Sequence, residues 1–515
     1  MKWEGPRKNA GGRSVPLLRA LAQHAYAVVS KLEHMLASVS FFRHGQRAPF
    51  PAYGDSLARG HTIWSPHRLP SLAEWNMSAG AFDALALTPR GHVYMRHEGE
   101  YRRHASPFAD PCAVPKLFIA DNSQRTIESA RAFIEGYSRG CDEVPPITVA
   151  DDASEAVLRA LASDDYLDPS CPAADHHAVN LEFGADTQAL TDAYRDEIRK
   201  VGSVLECCSA SACGLFGLKR ACTLDELPYK YNALYWKGFY DGPLEIAATF
   251  VEMWQMQALA SLREIAWGRL EASELLSLSG VHERMMRLGA NRNVSLSRGS
   301  PMLAFVLASL EQAATGRTLR GLPQPPSPTL FAAVFAHDFN IQYLRRILDL
   351  HWVVDSYPFD AASPGGSLRF DLSFESHSFD PRRDGLDKLR VRAFYSAAPL
   401  EAARGARPLV PPFEPPREAL VLDQPYMSFR HQALAIIDVH CIPQPLRGTI
   451  ETLQHPPRAH YPLPRSPFFS FEVLGATALV SLAIGATLSY CLCRKRAPTL
   501  GHAGAANAVR LLDAS

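Results

Sequence analysis

Three short apolar runs, each cut off by polar residues and followed by a helical pattern, set the tightest limit on how this chain can fold. Residues 35–42 (MLASVSFF) are β-rich and run directly into Arg43-His44-Gly45. Residues 117–120 lead to Asp121 and then to Ile127, Ala130 and Phe133 at helical spacing. Leu330–Ala336 (LFAAVFA) stops at His337-Asp338, ahead of Ile341, Leu344 and Leu348. Short unbroken apolar runs of this kind belong to strands buried on both faces. Strand followed by helix, three times over, predicts an α/β fold with a mainly parallel central sheet flanked by helices. Ligand sites in such sheets lie beyond the carboxyl ends of the strands, so the chemistry is expected where the three runs stop.

The rest of the chain is read around that frame. Residues 146–300 are helical in pattern, with Ala247, Phe250, Val251, Trp254 and Ala258 on one face. They read as an α-helical insertion that divides the α/β domain into residues 31–145 and 301–441. Residues 442–472 are proline-rich and read as an extended stalk. Residues 473–493 carry no charge for 21 positions and are followed by Arg494, Lys495 and Arg496. That is the length and the basic stop of a single transmembrane helix, with residues 494–515 as a cytosolic tail. At the other end, residues 1–30 combine basic Lys2, Arg7, Lys8 and Arg13 with a mildly apolar stretch and Ala25-Tyr26-Ala27, the pattern of a cleaved signal. The expected topology is therefore a type I membrane protein with its large domain lumenal or extracellular, endolysosomal or at the cell surface. A tail-anchored protein facing the cytosol is the alternative. With 53 basic and 53 acidic residues the chain lacks the charge footprint of a nucleic-acid binder, and 47% hydrophobic residues supply a substantial core.

The segment Arg43-His44-Gly45-Gln46-Arg47-Ala48-Pro49 places two guanidinium forks around an imidazole in a glycine turn. Arginine is planar, always charged and suited to phosphate oxygens. A neutral imidazole among such groups can attack phosphorus, and glycine is expected to let the backbone approach the anion closely. Arg125 stands ready as a third guanidinium, and His337-Asp338 offers a second imidazole beside a carboxyl group able to protonate a leaving alkoxide. The plain alternatives are a solvated basic loop, a surface arginine and a helix cap.

These motifs, with Leu87-Thr88-Pro89-Arg90-Gly91, IADNSQRT around Arg125, Phe250-Val251-Glu252-Met253-Trp254, Trp267-Gly268-Arg269, AHDFN at 336–340 and Pro364-Gly365-Gly366, resemble the histidine acid phosphatases of the branch-two histidine phosphatase superfamily. The similarity runs from near Lys31 to near Cys441, and within the family it points to the bacterial periplasmic acid phosphatase/phytase and glucose-1-phosphatase group. The resemblance implies His44 as nucleophile, Asp338 as proton donor, and Arg43, Arg47, Arg125 and His337 as phosphate-binding residues, with no metal or other cofactor. It also implies an acid phosphatase acting on small phosphate monoesters through a phosphohistidine, to which the 473–493 segment adds the expected membrane anchor. A phytase-like or sugar-phosphate-specific enzyme is the alternative, and a catalytically silent surface binding protein is the second.

By the same resemblance Cys112 pairs with Cys141 and Cys171 with Cys441, while Cys207, Cys208, Cys213 and Cys222 form local bonds of open pairing. An even cysteine count suits an oxidising compartment. Zinc held by Cys171, His176 and His177 is the metal alternative. Asn76 and Asn293 begin glycosylation sequons. The lysine that phytase-like members carry after the first motif is replaced by Phe50-Pro51-Ala52-Tyr53-Gly54, which weakens the case for inositol polyphosphates. Phe339 is expected to narrow the pocket. Glu252, within an apolar helix, reads either as a buried structural carboxylate or as a pocket residue.

Overall fold

A computed structural model of the chain describes residues 34–455 apart from 49–62, 68–69, 71–73, 78–84, 107, 109, 152–153, 164–165, 172–186, 232–239, 324–329, 356, 375–384 and 400–415. The three apolar runs are strands, as expected: β1 (His34–Arg43), β2 (Lys116–Asp121) and, after β3 (Ile147–Ala150), β4 (Leu330–Ala336). They lie in one seven-stranded sheet completed by β5 (Ser367–Phe374), β6 (Arg390–Ala397) and β7 (Arg417–Pro425), in the order β3-β2-β4-β1-β5-β6-β7.

The period-two geometry of a strand explains why the runs in β2 and β4 are apolar throughout, and why that in β1 is interrupted only by the buried Ser38 and Ser40. In β1, Ala37, Val39 and Phe41 enter one core, while Phe42 enters another on the opposite face. In β4, Leu330, Ala332, Val334 and Ala336 face the first core, and Phe331, Ala333 and Phe335 face the second. The second core is closed by α1 (Pro89–His104) and α2 (Gln124–Tyr137), with Phe42 stacked 5.0 Å from Phe335 and Phe133 beside both. The first is closed by α3 (Pro243–Leu259), α4 (Ala272–Gly289), α5 (Arg292–Thr315) and α6 (Asp338–Leu348). Thr88 starts α1 by accepting from the Gly91 N–H at 3.0 Å, with Pro89 at the first helical position.

The sheet is less parallel than the sequence suggests. The pairings β3-β2, β2-β4 and β4-β1 are parallel, whereas β1-β5, β5-β6 and β6-β7 are antiparallel. The reason is visible in β5 (SLRFDLSF): Leu368, Phe370, Leu372 and Phe374 face the core, but Arg369 and Asp371 alternate with them and ion-pair at 2.9 Å. A strand with one polar face leaves no unbroken apolar run to read. Strand β3 also belongs to the sheet, so the helical stretch begins after Ala150 rather than at 146.

α3 is buried almost all round rather than on one face, and a small hairpin pairs Lys230–Tyr231 with Tyr240–Asp241. The stretch expected to open an extended stalk instead folds back: α7 (Tyr426–Ile436) is followed by α8 (Leu446–Gln454), whose Leu446 and Ile450 are fully buried one helical turn apart. The cysteines pair as Cys112–Cys141, Cys171–Cys441, Cys207–Cys208 and Cys213–Cys222. The Cys171 sulfur is thus not available to zinc, and His176 and His177 lie outside the described residues. Among the described residues no helix is long and apolar enough to cross a membrane. The expected signal, the distal stalk, the 473–493 helix and the tail lie outside them.

Candidate active site

Parallel pairing in register brings the ends of β1, β4 and β2 side by side: Arg43 is level with Ala336, and Ala120 with Phe335. Because β5 runs the other way, the loop before it arrives at the same edge. There it is tied to the first motif by Arg43 N–H to Gly366 O at 2.9 Å and Gly365 N–H to His44 O at 2.9 Å. All six residues singled out in the sequence (Arg43, His44, Arg47, Arg125, His337 and Asp338) meet there.

His44 is 3% exposed, and its backbone N–H donates to Ala336 O. Its Nδ1 lies 2.8 Å from Gly45 O. A carbonyl oxygen only accepts, so Nδ1 carries the hydrogen and Nε2 keeps its lone pair. Burial, followed by the nearby charge of Arg125, Arg43 and Arg47 and the His337 ring, holds this imidazole well below the usual histidine range, and it is neutral. Gly45 has a different purpose from the one its sequence suggests. A Cβ there would sit 2.8 Å from Met95 Cγ and 3.1 Å from Gly91 O, so the glycine admits α1 rather than an anion. Its N–H is taken by Ser129 Oγ at 2.9 Å.

Arg43 is the best-anchored group. Nη1 donates to Ala362 O at 2.7 Å, and Nη2 meets Glu252 Oε1 at 2.6 Å and Asp338 Oδ2 at 3.0 Å. Burial opposes its charge, but the carboxyl groups of Asp338, Glu252 and Glu283 more than offset this and raise its pKa. Arg47 Nη2 reaches the same Glu252 oxygen at 2.9 Å. Glu252 therefore satisfies both readings made of it: a buried carboxylate that clamps the two arginines of the first motif, at the site itself. Asp338 opens α6, where the helix dipole favours a carboxylate. Phe339 turns the other way, fully buried in the main core against Tyr343, and does not narrow the pocket.

His337, 4% exposed, lies with its ring centroid 5.6 Å from that of His44. Its Nε2 is 2.9 Å from Asp121 Oδ2, and its Nδ1 is 3.3 Å from Arg125 Nη2. Asp121 had no role in the sequence reading beyond ending a strand. The only signal was its place at the tip of β2, four residues before Arg125. Glu283 was missed altogether, because nothing local marks it. It lies with Arg43, Gln255, Ser279 and Ser363 around a cavity behind the motif, and burial pushes its carboxyl up to about 8 against the pull of Arg43.

Two groups of potential metal ligands occur among the described residues. Cys208, Cys213 and Cys222 are committed to disulfides. Glu252, His282 and Asp338 offer atoms within 4.8 Å of one another, but the Arg43 guanidinium already supplies the positive charge between the two carboxyl groups. Residues 50–54, which replace the expected lysine, lie outside the described residues.

The fold is shared with solved bacterial phytases. The Citrobacter braakii phytase superposes with a TM-score of 0.62 at 20% identity, covering 80% of this chain and 100% of that one. The Hafnia alvei phytase in complex with myo-inositol hexakis sulphate gives a TM-score of 0.61 at 19% identity, covering 80% and 98%. The Klebsiella sp ASR1 phytase gives 0.58 at 18% identity, covering 81% and 99%. No curated protein matches the chain in sequence. The pattern of the histidine phosphatase superfamily (branch 2) matches residues 38–369, more than half of the chain and the whole of this strand edge, and the chain belongs to that family.

Proposed function

We propose that this protein is an acid phosphatase that hydrolyses small phosphate monoesters through a phosphohistidine. The observation that carries the reading is the neutral His44 ring, its Nε2 lone pair uncommitted to Gly45, set among the guanidinium groups of Arg43, Arg47 and Arg125. Nε2 attacks phosphorus, and the ester P–O bond breaks with its electron pair leaving on the alcohol oxygen. Asp338 gives that oxygen a proton. Water, deprotonated by the Asp338 carboxylate, then attacks the phosphohistidine; the P–N bond breaks and inorganic phosphate leaves. The three arginines stabilise the charge spread over the equatorial oxygens, with Arg125 held among them by His337. The test is turnover of p-nitrophenyl phosphate by the purified full chain between acidic and neutral pH. His44→Ala is expected to abolish it, and a variant that keeps the wild-type rate overturns the reading. Comparing phytate, glucose-1-phosphate and simple monoesters separates the monoesterase from a phytase-like or sugar-phosphate enzyme.

The same protein is proposed to be membrane-anchored through residues 473–493, with the phosphatase domain lumenal or extracellular. All eight cysteines ahead of that segment pair, as suits an oxidising compartment, and Asn76 and Asn293 are both exposed. Protease protection in sealed vesicles tests this: a domain digested from the cytosolic side overturns it.

A further inference from the structure

His337 has both ring nitrogens engaged by protein groups. Asp121 is an acceptor: burial alone would raise its pKa, but the hydrogen bond from His337, with the Asn122 N–H and the Ser123 side chain, brings it below the ordinary carboxylate value. The ring nitrogen facing it, Nε2 at 2.9 Å, therefore carries the hydrogen. A guanidinium has no lone pair to offer, so Nδ1, 3.3 Å from Arg125 Nη2, is the acceptor. Only one tautomer serves both contacts. Which nitrogen of an imidazole is protonated is decided by the partner of the other, and here that partner is Asp121.

We infer that Asp121 is a positioning residue: by holding His337 in its Nε2–H form it makes Nδ1 the acceptor that aims Arg125 across the strand edge. The inference rests on the phosphatase reading and deepens it. Arg125 projects from the first turn of α2 and is only partly buried, so a long side chain with several free torsions has to be held to one direction. In the other tautomer the Nδ1–H and the Arg125 N–H groups point at each other, and the arginine is displaced. The groups facing His337 are Asp121 from β2, Arg125 from α2 and His44 beyond β1, while its own N–H is held by Asn340 Oδ1 at 3.1 Å. At 4% exposure there is little solvent to replace Asp121 as acceptor.

The experiment compares Asp121→Asn, whose amide oxygen can still accept, with Asp121→Ala, which cannot. Both are made in the full chain, with p-nitrophenyl phosphate as substrate and inorganic phosphate as competitor. Asp121→Asn is expected to stay within a few-fold of wild type. Asp121→Ala should raise KM and the phosphate inhibition constant about tenfold, the loss of one well-aimed charged contact. In a His337→Ala background the Asp121→Ala change should add nothing further, because the two act as a unit. The ¹⁵N shifts of His337 should report a bare Nδ1 in wild type and Asp121→Asn, and a tautomer mixture in Asp121→Ala, a readout that a purely structural role would leave alone. If Asp121→Ala does not fold, Asp121→Ser, too short to reach Nε2, serves in its place. Unchanged KM and inhibition constants, an undiminished effect without His337, or an unaltered tautomer each overturn the inference. Failure of the phosphatase reading looks different: wild type itself would not turn over.

Discussion

At the scale of single residues, the direction of the chemistry is set by one backbone carbonyl. Gly45 O takes the Nδ1 hydrogen of His44 and leaves the Nε2 lone pair for the proposed nucleophilic attack. Around it, Glu252 keeps two arginines from repelling each other by meeting both with one oxygen. Asp338, at the tip of α6, stands 3.0 Å from the same Arg43 nitrogen that meets Glu252. The proposed role of Asp338 as proton donor has a graded consequence. Asp338→Asn should slow hydrolysis of an alkyl phosphate by about 10²–10³-fold and of p-nitrophenyl phosphate far less, because a phenolate leaves without help. Equal losses on the two esters would remove Asp338 from that role.

At the scale of elements, the strand edge keeps its shape because the layer behind it is tightly packed. α1 and α2 touch through glycines. A Cβ on Gly136 would lie 1.9 Å from Arg96 O, and one on Gly99 2.0 Å from Phe133 O. Backbone atoms cannot yield as a flexible side chain can, so Gly136→Ala has to force the helices apart. It should destabilise the fold by about 2 kcal/mol or more, read as a lower denaturation midpoint. α2 carries Arg125 at its first turn, so the same variant should also weaken phosphate binding. An unchanged midpoint would mean that the helices are not held as closely as described. Across the sheet, Cys171–Cys441 spans 270 residues and ties the end of the α/β domain to the helical stretch, a closure that restricts the unfolded chain most where loops are long.

At the scale of the whole molecule, ionisation of buried groups couples the fold to pH. Glu283 has an ordinary value of 4.5 and is raised to about 8 in the folded state. Between those values the folded chain holds a proton that the unfolded chain has lost. Stability from the neutral carboxyl is therefore complete below about 4.5, falls as pH rises, and is gone above about 8. The amount is on the order of a few kcal/mol. Thermal melts of wild type and Glu283→Gln across pH 5 to 8.5 should diverge, with wild type losing ground steadily toward the alkaline end; a constant gap would contradict the assignment. His44 acts in the opposite sense, since a ring held neutral in the folded state favours unfolding as pH drops below the usual histidine value. The two set a window from both sides.

The amino-acid sequence alone determined what is local. Unbroken apolar runs have to be doubly buried strands, and the polar residues that end them have to lie at one edge when those strands pair in parallel. Arg43, His44 and Arg47 are close in sequence, so their meeting needed no tertiary information, and Arg125, His337 and Asp338 follow from the same rule applied to β2 and β4. Tertiary structure alone decided what depends on partners far apart in the chain. Arg43 meets Glu252 across 209 positions, and Asp121 meets His337 across 216. No spacing or periodicity encodes such pairs. The antiparallel half of the sheet, the pairing of Cys207 with Cys208, and the burial of Glu283 were hidden for another reason. Alternating polar faces, clustered cysteines and a lone acidic residue each admit several arrangements, and only packing selects one.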